Sequence, residues 1–481
     1  MLRISVILLC LWLLGVKLFS QAEYPVRDNL SHYYELKYLQ KNDSLFDESI
    51  RPYYTNYLTD TLKKNFLLLP AIGSYAEFAK GDYPMFNNYF GGMLFYGHKK
   101  FSGWVLPYFY YSQSELYRHS LPEFINGFYS RYNFTSNSVY FADVLWEAEY
   151  NAAKFIRFYA GKGKLFLGEG NRSLWISGSG APYNYFRGVV DVWHIKYVWQ
   201  VGSGLDRDSL DYGVNTRRRK YFALHYLDWQ ATKWLNVQLF ETVIWAQYSD
   251  KYKRGLEPAY LNPIVFYRPV EFDIGSSDNV IMGGGLVLKP VKGLSLYSQL
   301  VLDEFKISEI RAKKGWWGNK FGLQAGIKYY LPKAYFLLEA NAVRPFTYSH
   351  NLPISNYGID RQPLAHPSGA NFRELIFDSR FEVADNFYIS LFGRYLQKGL
   401  NTDSVNYGGN IYWSYDYLRR EYGNSLLSGV LYSEFYGGIG AGKFVGNALE
   451  IFGRAGYKSI SVGSNLQKGF YFEIGVRSVF L

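Results

Sequence analysis

The sequence predicts an all-β fold: a transmembrane, outer-membrane β-barrel of 16–18 antiparallel strands, 18 preferred, behind a short helical N-terminal preamble. Three observations predict it. First, 48% of the 481 residues are hydrophobic and 20% aromatic, yet the mean hydropathy is −0.18, so apolar residues are diluted by polar ones. Second, the dilution has period two. In residues 294–302, Leu294, Leu296, Leu300 and Leu302 share one face, interrupted only by Ser298, while Tyr297 and Gln299 take the other. A strand alternates faces in this way. Third, beyond the N-terminus no run approaches the ~18–20 apolar residues of a spanning helix, but runs of about 9–11 residues recur to the end, the length a tilted strand needs to cross. Only helices and closed barrels satisfy their backbone within lipid.

Residues 1–22 read as a secretory signal. Arg3 gives the positive start, residues 4–14 are apolar, and Ser20-Gln21-Ala22 fits small-x-small cleavage. The single cysteine, Cys10, lies here, and the preceding Leu8-Leu9 lack the small residues of a lipoprotein site. Residues 23–66 form a periplasmic preamble. Asp28 or Asn29 caps a short helix over 28–49 that carries Leu30, Tyr33, Tyr34 and Tyr38 on one broad face. Arg51-Pro52-Tyr53 ends it, because proline is unwelcome inside a helix. Residues 67–481 are assigned to the barrel.

Strand-like runs fall near 71–80, 90–98, 103–112, 138–150, 155–162, 189–200, 221–229, 235–247, 281–289, 294–302, 321–330, 335–343, 373–383, 387–396, 428–437, 448–457 and 470–481. In 373–383, Leu375, Phe377, Ser379, Phe381 and Val383 face one way, and Glu374, Ile376, Asp378, Arg380 and Glu382 the other. These are 17 runs, and single-chain bacterial barrels have an even number, so one is missed or merged. The segments 289–293, 331–333 and 384–386 are short. Those at 113–137, 164–188, 201–220, 248–280, 303–320, 344–372 and 397–427 are long. Short periplasmic turns and long outer loops are the barrel habit, and function concentrates in the long loops.

The net charge of +11 suits anionic headgroups or acidic polysaccharide. Nucleic acid is a poor fit, since the only dense basic run is 217–220. Without Cys10 the chain has no disulfide, thiol nucleophile or thiolate metal site. His119, His194, His225, His350 and His366 show no metal-ligand spacing, and no metal or other cofactor is expected. No G-x-S-x-G elbow marks a nucleophile, so the reading is non-enzymatic. Gly168-Glu169-Gly170 lacks the Gly-Lys-Ser/Thr end of a phosphate loop.

Three segments resemble a known family. Residues 261–272 (LNPIVFYRPVEF) with 275–279 (GSSDN) resemble the signature of the outer-membrane capsule-assembly (Wzi-type) family, closest to the Bacteroidetes branch of RemB-type gliding-motility proteins. Residues 167–174 (LGEGNRSL) and 363–374 (PLAHPSGANFRE) resemble two further stretches of that branch. The resemblance implies an 18-stranded outer-membrane barrel. In the capsule branch it implies non-catalytic attachment of capsular polysaccharide. In the gliding branch it implies a surface protein that aids movement or adhesion through other cell-surface proteins.

Candidate site residues follow from the loops. Trp316 and Trp317 with Lys313 and Lys314 suit an acidic sugar, rings against C–H faces and ammonium groups against charge; the alternative is an aromatic belt at the membrane edge. Trp175, Tyr183 and Tyr185 form a weaker version. Arg268, Glu271, Asp273 and Asp278 are expected to form a charge network in the lumen, on a loop 248–280 folded inward, or else a functional constriction. The expected partners are membrane lipid and surface polysaccharide. Gliding or adhesion, and a porin-like diffusion channel, are the alternatives; a lumen filled by loops would oppose the channel.

Overall fold

The computed structural model describes residues 24–26, 50–51, 53–55, 66–79, 85–112, 132–133, 138–207, 217–247, 254–264, 266–276, 278–417, 420–446 and 449–478. Eighteen long strands close into one antiparallel barrel. They are β1 (Phe66–Ala79), β2 (Met85–His98), β3 (Phe101–Ser112), β4 (Ser138–Ala153), β5 (Ile156–Gly163), β6 (Tyr183–Val192), β7 (Ile195–Arg207), β8 (Arg217–Thr232) and β9 (Leu235–Ala246). The second half comprises β10 (Asn279–Val291), β11 (Leu294–Glu304), β12 (Lys320–Leu331), β13 (Ala334–Val343), β14 (Phe372–Ala384), β15 (Phe387–Leu400), β16 (Val430–Val445), β17 (Leu449–Val462) and β18 (Asn465–Ser478). A two-residue piece, Tyr132–Asn133, adds to β4.

The strand that sequence reading merged is now visible. The run 189–200 is the end of β6 and the start of β7, joined by Trp193-His194. Trp193 is 92% exposed and holds φ of 63°. Left-handed turns are normally announced by glycine or asparagine, as at Gly293 and Asn386, and a tryptophan gives no such signal.

The two ends of the barrel differ sharply. At one end every connection is two or three residues, from 99–100 to 446–448. At the other lie the short connections 80–84 and 463–464 and the long segments 113–137, 164–182, 208–216, 247–278, 305–319, 344–371 and 401–429. Phe66 and Ser478 both lie at the short-turn end. The seam between β18 and β1 runs only from Tyr471↔Ala79 to Arg477↔Gly73, whereas β17 and β18 pair along their whole length, Leu449↔Ser478 to Val462↔Asn465.

Alternation puts an apolar band outside. Leu239, Leu286, Leu296, Leu323, Leu338, Leu375, Ile389, Ile439, Ile451 and Ile474 are all exposed on the outer face. At the short turns Phe101, Phe155, Trp193, Trp229 and Trp234 form an aromatic girdle, with Phe101 stacked on Tyr150 at 4.7 Å. Such a band and girdle belong to a wall in lipid. Inward positions of β10–β14 are buried and mostly polar, including Gln299, Gln324, Lys328, Glu339, Asn341 and Glu374.

The expected signal, and the helix expected over 28–49, lie outside the described residues. Of the preamble, Tyr24–Val26 pairs with Tyr53–Thr55, and Ile50–Arg51 pairs with Phe166–Leu167 at the root of an inward-folded loop.

Candidate functional site

The lumen is filled on one side by residues 164–182 and 344–371. Together with inward residues of strands between β5 and β16 they form one buried cluster that includes Leu165, Leu174, Trp175, Phe222, Tyr226, Phe240, Tyr348, Tyr357 and Leu364. Trp175 is 0% exposed. Its ring stacks on Phe240 at 5.7 Å, and its Nε1 donates to Leu300 O at 3.0 Å. The wall is shaped for it. A Cβ on Gly283 would come 2.2 Å from Trp175 Nε1, and one on Gly285 2.7 Å from the indole. Gly283 and Gly285 therefore leave a bare floor, the close approach that glycine in a strand permits.

The glycine-rich stretch 167–174 docks by its backbone. Glu339 on β13 accepts from Asn171 N at 2.6 Å and Arg172 N at 3.1 Å, and also from Tyr297 Oη at 2.7 Å and Asn341 Nδ2 at 2.9 Å. Gln299 Oε1 accepts from Leu174 N at 2.9 Å. The second loop rests on the first: Tyr348 Oη donates to Leu174 O at 2.7 Å and Tyr357 Oη to Trp175 O at 2.6 Å.

The stretch 363–374 clamps that second loop to the wall. His366 Nδ1 accepts from Ser368 N at 3.1 Å, which leaves Nε2–H to donate to Glu374 at 2.7 Å. Burial pushes the His366 imidazole down, against the opposite pull of Glu374. Arg394 Nε completes the Glu374 carboxylate at 2.7 Å. Asn371, at φ 58°, donates to Gly399 O and Ser428 O and accepts from Leu427 N, tying three segments at one side chain.

Two short helices lie in the outer segments, α1 (Tyr267–Ile274) and, in the rim loop 305–319, α2 (Ile307–Ala312). The loop is strapped to 401–429: Trp317 N donates to Glu421 O at 3.0 Å, Gly423 N to Lys314 O at 2.8 Å and Asn424 N to Gly315 O at 2.9 Å. Lys306, Arg311, Lys313 and Lys314 are exposed, and Glu309 is half-buried. Trp316 is half-buried and folds over Gly318, with Lys306 Nζ 5.9 Å from its ring. Trp317 lies 4.7 Å from the Tyr415 ring. The Lys320 ammonium lies over both rings, 5.4 Å from Trp317 and 4.2 Å from Tyr415, and is itself buried beside Glu304 at 3.2 Å. The neighbouring His350 accepts from Leu352 N at 3.2 Å, and burial, with Lys320 nearby, pushes its imidazole down to about 3.

The candidates thus separate. Trp316, Trp317, Lys313 and Lys314 stand together on the rim. Trp175, Tyr183 and Tyr185 are inside the wall, the two tyrosines on β6 rather than on a loop. Tyr183 packs edge-on to Phe222 at 4.9 Å, and Tyr185 Oη donates to Glu147.

The lumen charge network is corrected. Segment 254–276 does not turn inward. It packs on the outer face of β8–β10, where Ala223, Val243, Trp245 and Val280 meet Tyr260 and Tyr267. Arg268 pairs with Glu271 at 2.7 Å within α1, Asp278 pairs with Arg254 and accepts from Tyr260 Oη at 2.7 Å, and Asp273 is exposed. These groups hold the segment to itself and to the wall.

Sequence reading missed Glu339, Gln299, Lys306 and Tyr415. The Gly283–Gly285 triplet was the available signal for Trp175, but only the register shows which loop it faces. Among the described residues no group of three or more His, Cys, Asp and Glu side chains is placed to hold a metal ion.

No family model matches this chain, and no curated protein matches it. Among solved structures it is similar to Wzi of Escherichia coli, described as an outer membrane protein involved in group 1 capsule assembly and a carbohydrate-binding β-barrel. The identity is 12%, over 86% of this chain and 84% of that one, with a TM-score of 0.55. Pseudomonas aeruginosa OccK1 (OpdK) matches at 10% identity over 86% and 97%, TM-score 0.47, and OprD at 10% over 86% and 95%, TM-score 0.44. The fold is that of an outer-membrane β-barrel.

Proposed function

We propose that this chain is a non-enzymatic outer-membrane protein whose outer rim holds an acidic surface polysaccharide. The observation that carries the reading is the braced knob at 305–319. The knob carries four exposed cations, Lys306, Arg311, Lys313 and Lys314, with the half-buried Trp316 and one carboxylate, Glu309; Lys306 lies 5.9 Å from the Trp316 ring and 3.9 Å from Glu309. A ring presents a flat apolar face to sugar C–H groups, and the ammonium groups attract uronate or similar charge. Each contact is weak, and a polymer supplies avidity by offering many repeat units. Trp175, Tyr183 and Tyr185 take no part, being enclosed in the lumen. The likeness to a carbohydrate-binding barrel agrees with the reading at the level of fold.

The test is a deletion strain complemented with wild type or with Trp316→Ala, Lys313→Ala and Lys314→Ala combined. Polysaccharide shed to the medium in the deletion and in the combined variant supports the reading. Retention with lost spreading moves it to gliding or adhesion through other surface proteins. Retention equal to wild type removes these residues from the account.

A diffusion channel is the second reading, and one observation favours it. Away from the packed loops, the inward pair Arg454–Glu473 keeps side-chain exposures of 29% and 13%. A polar strip of the inner wall is therefore open to water. Steady single-channel conductance in planar bilayers supports this reading; its absence leaves the rim as the working surface.

A further inference from the structure

We infer that segment 254–276 is a re-entrant clasp whose tip lies in the hydrocarbon of the membrane, against the outer wall of the barrel. This goes beyond the rim reading and does not depend on it.

The wall beneath the clasp is polar where a lipid-facing wall should not be. Tyr197 on β7, His225 on β8 and Glu241 on β9 point outward from neighbouring strands, with His225 opposite both Trp199 and Glu241. Such groups facing lipid alone would leave their hydrogen bonds unmade, which hydrocarbon heavily penalises. The clasp supplies the partners from its backbone. Tyr197 Oη donates to Pro263 O, and His225 Nε2 lies 3.2 Å from Asn262 O. Tyr267 N donates to Glu241 Oε1 at 2.8 Å and Arg268 N to the same oxygen at 3.3 Å. The Tyr267 ring covers His225 at 4.3 Å.

The depth follows from the register. β8 runs from the long-loop end to the short turns, so Trp229 of the girdle is four residues below His225, about 13 Å along the strand. In a tilted strand that is roughly 10 Å of height within an apolar band about 25 Å tall. The flanking outward residues agree: Leu239, two residues from Glu241, and Met282, paired with it, are both exposed apolar side chains. The chain descends from Gly255, whose carbonyl accepts from Trp245 Nε1, to Asn262–Phe266, then climbs through α1 to Asp278. Its lowest stretch carries Ile264, 86% exposed, and Phe266, 73% exposed; Phe272 on α1 is 75% exposed. The charged side chains sit higher: Arg268 begins the climb, folding over Phe272 at 5.4 Å, and Asp273 is near its top. Apolar side chains at the tip, continuous with the lipid-facing band, and charges toward the water fit acyl chains as the occupant.

The test places a nitroxide at Ile264→Cys and, separately, at Phe272→Cys, in a chain with Cys10→Ser, reconstituted in phosphatidylcholine–phosphatidylglycerol vesicles. Leu239→Cys is the wall reference and Lys313→Cys the aqueous one. Collision with oxygen and with a water-soluble nickel chelate is read by power saturation. All four positions are exposed, so the fold is retained, and heat-modifiable mobility on gels checks it. The inference expects the Ile264 label to match Leu239, with an oxygen-to-nickel ratio several-fold above Lys313. A ratio like that of Lys313 overturns it and puts the clasp in water. Low collision with both agents also overturns it and indicates a protein covering the tip.

Discussion

Trp175→Ala tests the plugged lumen most directly. The substitution removes a fully buried indole, its stack on Phe240 and its hydrogen bond to Leu300 O. Large aromatic deletions from packed cores cost about 3–5 kcal/mol. Spent on loop docking, that is roughly a 10²- to 4 × 10³-fold rise in the undocked population, at about 1.4 kcal/mol per decade. The complementary change is Gly283→Ala, whose methyl would meet Trp175 at 2.2 Å. Overpacking of this kind costs about 1–3 kcal/mol. In the Trp175→Ala background the clash with the indole is gone and only the 2.9 Å approach to Leu300 O remains, so the cost of the methyl falls and the cycle is non-additive. Hydrogen exchange at the amides of Asn171, Arg172 and Leu174, measured in micelles, reads docking. Additive losses in the double variant, or unchanged protection in Trp175→Ala, would refute the reasoning.

Three further outcomes are expected. Glu339→Gln turns one of two accepting oxygens into a donor aimed at backbone N–H groups, so the amides of Asn171 and Arg172 should lose protection by on the order of 2 kcal/mol, with the barrel still heat-modifiable. Asn371→Gly keeps the positive φ but loses the hydrogen bonds, and Asn371→Ala loses both; each should loosen loop 401–429 by about 2–3 kcal/mol, alanine more, read by limited proteolysis. His350 and His366 are both held below the usual histidine value of about 6.5, so an undocked loop 344–371 binds more protons than a docked one. Docking is then strongest above about pH 6.5 and weakens as pH falls toward about 3; equal exchange protection in that loop at about pH 5 and 7.5, corrected for intrinsic rates, would contradict this.

The barrel was legible because its physics is local. Alternation such as Leu294, Leu296, Leu300 with Tyr297, Gln299 states both the strand and its faces. The one strand that escaped did so because Trp193 occupies a turn conformation that its side chain does not advertise. The rim knob was legible for the same reason, since Lys313–Trp317 are consecutive. The loops were not. Residues 254–276 and 164–182 both mix apolar side chains with turn formers, and nothing local says which goes inside. That is decided by distant partners: Gln299, Glu339 and the Gly283–Gly285 floor take one loop, and Tyr197, His225 and Glu241 on the opposite face take the other.

The narrow junction from Tyr471↔Ala79 to Arg477↔Gly73 bears on how the cylinder comes into being. Every other ladder joins neighbours in sequence, and each can zip as soon as its hairpin is made. This one must bring together segments roughly 400 residues apart, at an entropic cost that grows only as the logarithm of that distance but is met all at once. It also carries only seven rungs with which to offset that cost, as few as any ladder in the wall. The two edges therefore meet last, after the wall has been laid down in order. Under mechanical load or denaturant they part first, and the wall peels from the end of the chain inward.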